Sequence, residues 1–143
     1  MTKINYGRVV LGGLVAGVVM NVGEIVLNTQ VLMKDWEDAL RAIGKAPAGN
    51  TAIFAFIILM FVLGVLSVWL YAAIRPRFGP GPKTALCAGL AVWALAYAFP
   101  SISGIPMGVF PARLFIIGTI WGFVEAPLAT LAGAYFYREE SGA

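Results

Sequence analysis

The sequence contains no histidine and a single cysteine, Cys87. Histidine is the commonest metal ligand, the usual axial ligand of haem and the usual general base, so its absence argues against these roles. One cysteine forms no intrachain disulfide and no cysteine-cluster metal site. We therefore predict no metal, no cofactor and no enzymatic activity. A bound lipid or pigment is compatible with the composition but is not predicted.

Charged residues are also scarce. They make up 12% of the chain, against roughly 25% in an average soluble domain, whereas 60% of the residues are hydrophobic. A soluble protein of this length needs polar side chains to cover its surface, so most of this surface is expected to face lipid. The net charge of +3 is small and the basic residues are scattered, which argues against nucleic-acid binding.

Four stretches of the chain are long and apolar enough to cross a bilayer, which takes about 20 residues each. The first follows Lys3 and Arg8 as in a signal peptide, but it lacks a clean cleavage pattern and continues past Val26. We expect it to be a retained first span. The sequence thus predicts an all-α, four-helix transmembrane bundle of up-down topology, in one membrane domain over residues 1–143. The predicted spans cover about residues 8–33, 51–74, 84–103 and 110–137.

The connection between the first two predicted spans is polar. Within it, Trp36, Ala39, Leu40 and Ile43 recur at helical spacing among charged residues. This pattern predicts a short amphipathic helix that lies in the membrane interface over about residues 35–44. An ordered solvent-exposed loop is the alternative.

The other two connections are rich in proline and glycine. The second, residues 75–83, holds Arg75, Arg77 and Lys83 among its prolines and is predicted to be a tight basic turn that cannot be helical. The third, residues 100–111, is almost uncharged. We expect it to stay close to the membrane surface or to fold into it.

The distribution of Lys and Arg predicts the orientation. Six basic residues fall on one side of the predicted spans and four on the other, and three of those four lie among acids. Both termini are therefore predicted to be cytoplasmic, in a bacterial cytoplasmic membrane. The larger set is Lys3, Arg8, Arg75, Arg77, Lys83 and Arg138, and the smaller set is Lys34, Arg41, Lys45 and Arg113.

Acids inside predicted spans are the most informative residues. Asn21, Glu24 and Asn28 are spaced by three and then four residues, which places them on one helical face. Glu125 lies in the fourth span, two residues before Pro127, which is predicted to break the helix. At 1.5 Å per residue, the two acids lie at similar depth. We therefore predict a polar seam between the first and fourth helices.

Two interpretations of this seam remain open. A carboxyl group in the bilayer is costly and normally faces the bundle interior, where it finds a partner. The pair could form a proton or cation relay. Alternatively, a neutral network of carboxyl and amide groups could hold the helices together and fix their register.

Small residues recur at the four-residue spacing that permits close helix packing. This pattern indicates association within the chain or with partners, without saying which. The pairs are Gly13 and Gly17, Gly118 and Gly122, and Ala129 and Gly133.

The opening Gly12–Gly17, the Asn21/Glu24/Asn28 stripe, the turn Arg75–Gly81 and the segment Trp121–Pro127 together resemble small uncharacterised bacterial four-span membrane proteins. That resemblance implies no function. The chain is also similar at fold level to the small multidrug resistance transporters, which carry an essential acid in the first of four helices. That likeness implies the same role for Glu24. The chain departs from that family in its greater length, its polar connection after the first span and its second intramembrane acid.

Three function classes follow. The preferred one is a non-enzymatic accessory or scaffold subunit of a larger membrane complex, which accounts for the apolar surface and the packing glycines. The alternative is a small proton- or cation-coupled transporter or channel that uses Glu24 and Glu125. A membrane enzyme acting on lipids is least favoured, because the chain lacks histidine. The expected partners are membrane lipid and either other membrane subunits or further copies of the chain.

Overall fold

A computed structural model describes residues 3–139 of the chain. Within these residues the fold is entirely helical, and four helices are long and apolar enough to cross a membrane. At 1.5 Å per residue, lengths of 24 to 29 residues cover the roughly 30 Å hydrocarbon core of a bilayer with some to spare. The predicted all-α four-helix bundle is confirmed, and the helices indicate an integral membrane protein. The four spans are Tyr6–Val31, Asn50–Phe78, Pro82–Met107 and Ala112–Tyr135.

The first span consists of helix α1, Tyr6–Val26, and a π-helical turn, Leu27–Val31. Helix α2, Met33–Ala42, follows after one residue. The short helix predicted at 35–44 is therefore present, shifted by two residues toward the N-terminus. Gly44 ends it with a φ of 70°, the left-handed conformation that glycine adopts freely. The position of α2 in the membrane interface stays a prediction.

The second span, helix α3, Asn50–Phe78, corrects one prediction. Residues 75–78 are helical although Pro76 lies among them, so the basic turn is shorter than predicted. Proline removes one backbone donor but its fixed φ is compatible with a helix, and near a helix end that loss is small. The reversal occurs at Gly79 and Gly81, whose φ angles are 85° and 123°. The Thr84 hydroxyl donates to the Gly79 carbonyl at 2.6 Å and holds this turn.

The third span contains helix α4, Pro82–Trp93, a second π-helical turn, Ala94–Ala98, and helix α5, Phe99–Met107. It runs four residues beyond the predicted end at 103, so much of the Gly- and Pro-rich segment is helical. In lipid a backbone gains more from internal hydrogen bonds than it loses at a single proline. Gly108, with a φ of 66°, ends the span.

The fourth span is helix α6, Ala112–Tyr135. Helix α1 packs against α3 and α6, α4 packs against α3 and α6, and α3 also touches α6. Contacts between helix ends follow the up-down order. Asn5 N–H donates to the Tyr137 hydroxyl at 3.4 Å at one end of the bundle. At the other end Arg113 pairs with Asp35 of α2 at 3.2 Å.

Most of the predicted packing glycines lie at helix contacts. Gly13 and Gly17 face Gly64, Phe61 and Val65 of α3, and Gly133 faces Gly12 across the α1–α6 contact. Gly122 lies against the ring of Tyr97. Gly118 differs, because a Cβ atom built on it meets nothing within 4 Å. The four-residue spacing alone does not reveal which side of a helix its neighbours occupy.

Candidate functional site

The two intramembrane acids meet at a tyrosine. The hydroxyl oxygen of Tyr97, on the π-helical turn of the third span, lies 2.9 Å from Oε2 of Glu125 and 3.3 Å from Oε1 of Glu24. Glu125 is only 7% exposed, and Glu24 and Tyr97 are partly buried. Helices α1 and α6 and the third span thus each contribute one oxygen-bearing side chain to a single cluster inside the bundle.

The number of protons in this cluster is constrained. A tyrosine hydroxyl has one proton and can donate one hydrogen bond, whereas an ionised carboxylate only accepts. Tyr97 therefore cannot donate to both carboxylates at once. A full set of hydrogen bonds requires a proton on one of the two carboxyl groups, which then donates to the tyrosine oxygen.

Each carboxyl group has a further donor on its outer oxygen. The indole N–H of Trp121 donates to Oε1 of Glu125 at 3.2 Å, one helical turn earlier on α6. Asn28 Nδ2 donates to Oε2 of Glu24 at 2.9 Å. The indole N–H of Trp36 donates in turn to Asn28 Oδ1 at 3.0 Å. The hydrogen-bonded chain therefore runs from the surface helix α2 through α1 and the third span to α6.

Each π-helical turn carries one residue of this hydrogen-bonded chain. Leu27–Val31 carries Asn28, and Ala94–Ala98 carries Tyr97. A π-helical turn has more residues per turn than an α-helix, so each residue advances through a smaller angle. Asn28 lies over Glu24, one turn earlier, and Tyr97 lies between the two acids. Such local widening of a helix is frequent at functional sites.

Asn21 lies apart from the other predicted seam residues. Its Nδ2 donates to the Gly17 carbonyl at 2.9 Å and to the Ile57 carbonyl of α3 at 3.2 Å. It therefore ties α1 to α3 and takes no part in the contact with α6. The predicted seam placed Asn21, Glu24 and Asn28 on one face. In the structure Asn28 contacts Glu24, four residues earlier, whereas the side chain of Asn21 bonds to α3.

Pro127 does not break its helix, since α6 is continuous from Ala112 to Tyr135. Proline removes one donor from a helix interior, but close packing supports the backbone here. Gly89 of α4 lies directly against Pro127, and a Cβ atom at position 89 would come 2.5 Å from Pro127 Cα. The proline thus marks the tight α4–α6 contact.

A groove of about 510 Å³ opens between α1 and α6 beside Glu125. Glu125 and Gly23 line it, and the remaining walls are apolar apart from the indole of Trp121. Gly23 leaves the space into which the carboxyl group of Glu125 extends. The site therefore has an apolar opening on the side of the bundle where α1 meets α6.

Basic side chains pair elsewhere. In residues 3–139 the ion pairs are Arg41–Asp38, Arg75–Glu139 and Arg113–Asp35, and none includes Glu24 or Glu125. The same part of the chain holds no group of three or more metal-ligating side chains. Within the described residues, no cationic side chain balances a negative charge on either acid.

Sequence reasoning missed three members of the site. Tyr97 and Trp121 had no place in the predicted seam, and Trp36 was assigned only to the predicted amphipathic helix. The spacing of four between Trp121 and Glu125 was a usable signal, because such residues are neighbours on a helix. Nothing local to Tyr97 indicated its contact with Glu24, which lies 73 residues away in the sequence.

Comparison with protein-family models, curated proteins and solved structures finds no match for this chain. The site is therefore interpreted from its own geometry.

Proposed function

We propose that this integral membrane protein is a small proton- or cation-coupled transporter or channel, and that Glu24 and Glu125 bind the proton or cation. The observation that carries the proposal is the Tyr97 hydroxyl between the two carboxyl groups, at 3.3 Å and 2.9 Å. The tyrosine proton and one carboxyl proton are shared among three oxygen-bearing groups, and small movements of these hydrogen atoms can place the carboxyl proton on either acid.

The position of the pair supports the same proposal. Acids inside a membrane protein are costly and are found mainly on ion and proton pathways. Here no basic side chain of residues 3–139 lies within ion-pair distance of either acid. A permanent Lys or Arg partner would fix the charge, whereas a proton or cation can leave.

Flux measurement in liposomes tests the proposal. Wild-type protein should carry protons or cations down an imposed gradient, as followed with a pH-sensitive or cation-sensitive dye inside the vesicles. Glu24→Gln and Glu125→Gln should each abolish that flux. Glu37→Gln on α2 is the matched control, because it removes one carboxylate outside the cluster. Absence of wild-type flux, or full flux in both site variants, would refute the proposal.

A second candidate is an accessory or scaffold subunit of a larger membrane complex, without enzymatic activity. One observation favours it: each carboxyl group already has two hydrogen-bond partners from the chain itself. A satisfied network of this kind can serve to fix helix register. Purification in a mild detergent should then retain other subunits with the chain. Recovery as a lone homogeneous species, with flux intact, would exclude this candidate.

A further inference from the structure

Helix α2 is linked to the acids by the side chain of Trp36. The indole N–H of Trp36 donates to Asn28 Oδ1 at 3.0 Å, and Asn28 Nδ2 donates to Glu24 Oε2 at 2.9 Å. An indole nitrogen is a donor only, and a carboxylate accepts only. Asn28 therefore has one orientation that satisfies both neighbours, with its oxygen toward Trp36 and its NH₂ group toward Glu24.

From this relay we propose that Trp36 is a positioning residue, through which docking of α2 sets the protonation equilibrium of the Glu24–Glu125 pair. The expected effect on transport rests on the proposed function, whereas the effect of Trp36 on the protonation of Glu24 can be measured separately. The Asn28 NH₂ group also donates to the Glu24 main-chain carbonyl at 2.8 Å, so the amide keeps its orientation without the indole N–H, but its oxygen loses its donor. The side chain is then held less firmly, and its hydrogen bond to the Glu24 carboxyl group is weakened.

Other contacts keep α2 in the place that this relay needs. The ring of Trp36 packs edge-on against Phe110, with ring centroids 5.8 Å apart. Asp35, its neighbour, pairs with Arg113 at the start of α6. Helix α2 therefore contacts both spans that carry the acids, the first through Trp36 and the fourth through Asp35.

Other titratable or charged groups that face Glu24 could also change its protonation. Its titratable neighbours are Tyr97 from the third span and Glu125 through the shared hydroxyl. Helix α3 also packs against α1, but its charged residues, Arg75 and Arg77, lie at the far end of the bundle. The acids of α2 lie at the surface, and Asp35 is engaged by Arg113. The hydrogen-bonded route from Trp36 to Glu24 therefore runs through Asn28.

The test is an infrared titration of the protein in lipid vesicles, with the protonated carboxyl band of Glu24 identified by its loss in Glu24→Gln. Trp36→Phe keeps an aromatic ring against Phe110 and removes the N–H. It should displace the titration midpoint by up to about one pH unit, which is the size expected when one hydrogen bond to a charged group is lost completely. The pH profile of flux should move by the same amount.

Trp93→Phe is the matched control. It also removes an indole hydrogen bond between helices, from Nε1 to the Thr119 carbonyl at 2.9 Å, but this bond does not touch the acids. It should leave the midpoint where the wild type has it. In an Asn28→Leu background, Trp36→Phe should add no further displacement, because the relay is already broken.

The outcomes separate the two proposals. An unchanged midpoint in Trp36→Phe overturns the positioning role even if wild-type flux is present, and equal displacements in Trp36→Phe and Trp93→Phe overturn it as well. A displacement confined to Trp36→Phe in a protein without flux supports the positioning role and refutes the transport function.

Discussion

Gly23 lies directly against the carboxyl group of Glu125. A Cβ atom at position 23 would come 2.9 Å from Glu125 Cδ and closer still to Oε1. The obstacle is the end of a flexible side chain, so a larger residue here would move the carboxyl group while leaving the backbones in place. A substitution at position 23 should therefore disturb the hydrogen bonds of Glu125 without disturbing the packing of the helices.

We predict that Gly23→Ala folds but loses proton or cation flux. The displaced carboxyl group should lose its hydrogen bonds to Tyr97 and Trp121, which are 2.9 and 3.2 Å long. Flux in liposomes and thermal unfolding measure the two effects. Gly118→Ala is the control, because nothing lies within 4 Å of a Cβ at that position. If Gly23→Ala transports as well as Gly118→Ala, the assigned geometry of Glu125 is wrong.

Tyr97→Phe should remove the hydroxyl that joins the two acids. We expect most of the flux to disappear, together with about 1–3 kcal/mol of stability, because buried carboxyl oxygens lose a partner. Flux and denaturant unfolding of the reconstituted protein check both effects. Tyr135→Phe is the matched control: Tyr135 is 82% exposed, so stability should change by less than about 0.5 kcal/mol. Equal behaviour of the two variants would contradict a bridging role for Tyr97.

Gly64→Ala should destabilise the bundle. A Cβ atom on Gly64 would lie 2.5 Å from the Gly13 carbonyl oxygen and from the Gly17 nitrogen. Backbone atoms cannot rotate away, so α1 and α3 must separate, at a cost of about 1–3 kcal/mol. Denaturant unfolding followed by circular dichroism measures this cost. A Gly64→Ala protein as stable as Gly118→Ala would show that α1 and α3 do not pack this closely.

Cysteine accessibility tests the orientation. In a Cys87→Ala background, Pro80→Cys reports the turn after α3 and Ala46→Cys reports the segment after α2. Both positions are exposed, and they lie at opposite ends of α3. With both termini cytoplasmic, a thiol reagent that does not cross membranes should label position 46 in intact cells and position 80 only after lysis. The reverse pattern would invert the predicted orientation.

The spans and the surface helix could be predicted from local patterns, because each depends on the hydrophobicity of a continuous segment. Helix ends at prolines were less predictable. Pro76 and Pro127 were expected to stop or break helices, yet both lie inside continuous ones. In lipid the backbone has no water to bond with, so one lost hydrogen bond does not outweigh continuation of the helix.

The sequence by itself determined the membrane-spanning helices and which residues would be costly in lipid, since hydrophobic length and buried charge are properties of single segments. It placed Glu24 and Glu125 at similar depth. Only the tertiary structure decided that Tyr97 joins them, that Asn21 turns to α3 and that Trp36 reaches Asn28. Those outcomes depend on the rotation of each helix about its own axis. That rotation is set by packing between segments, which the hydrophobic pattern of a single segment does not encode.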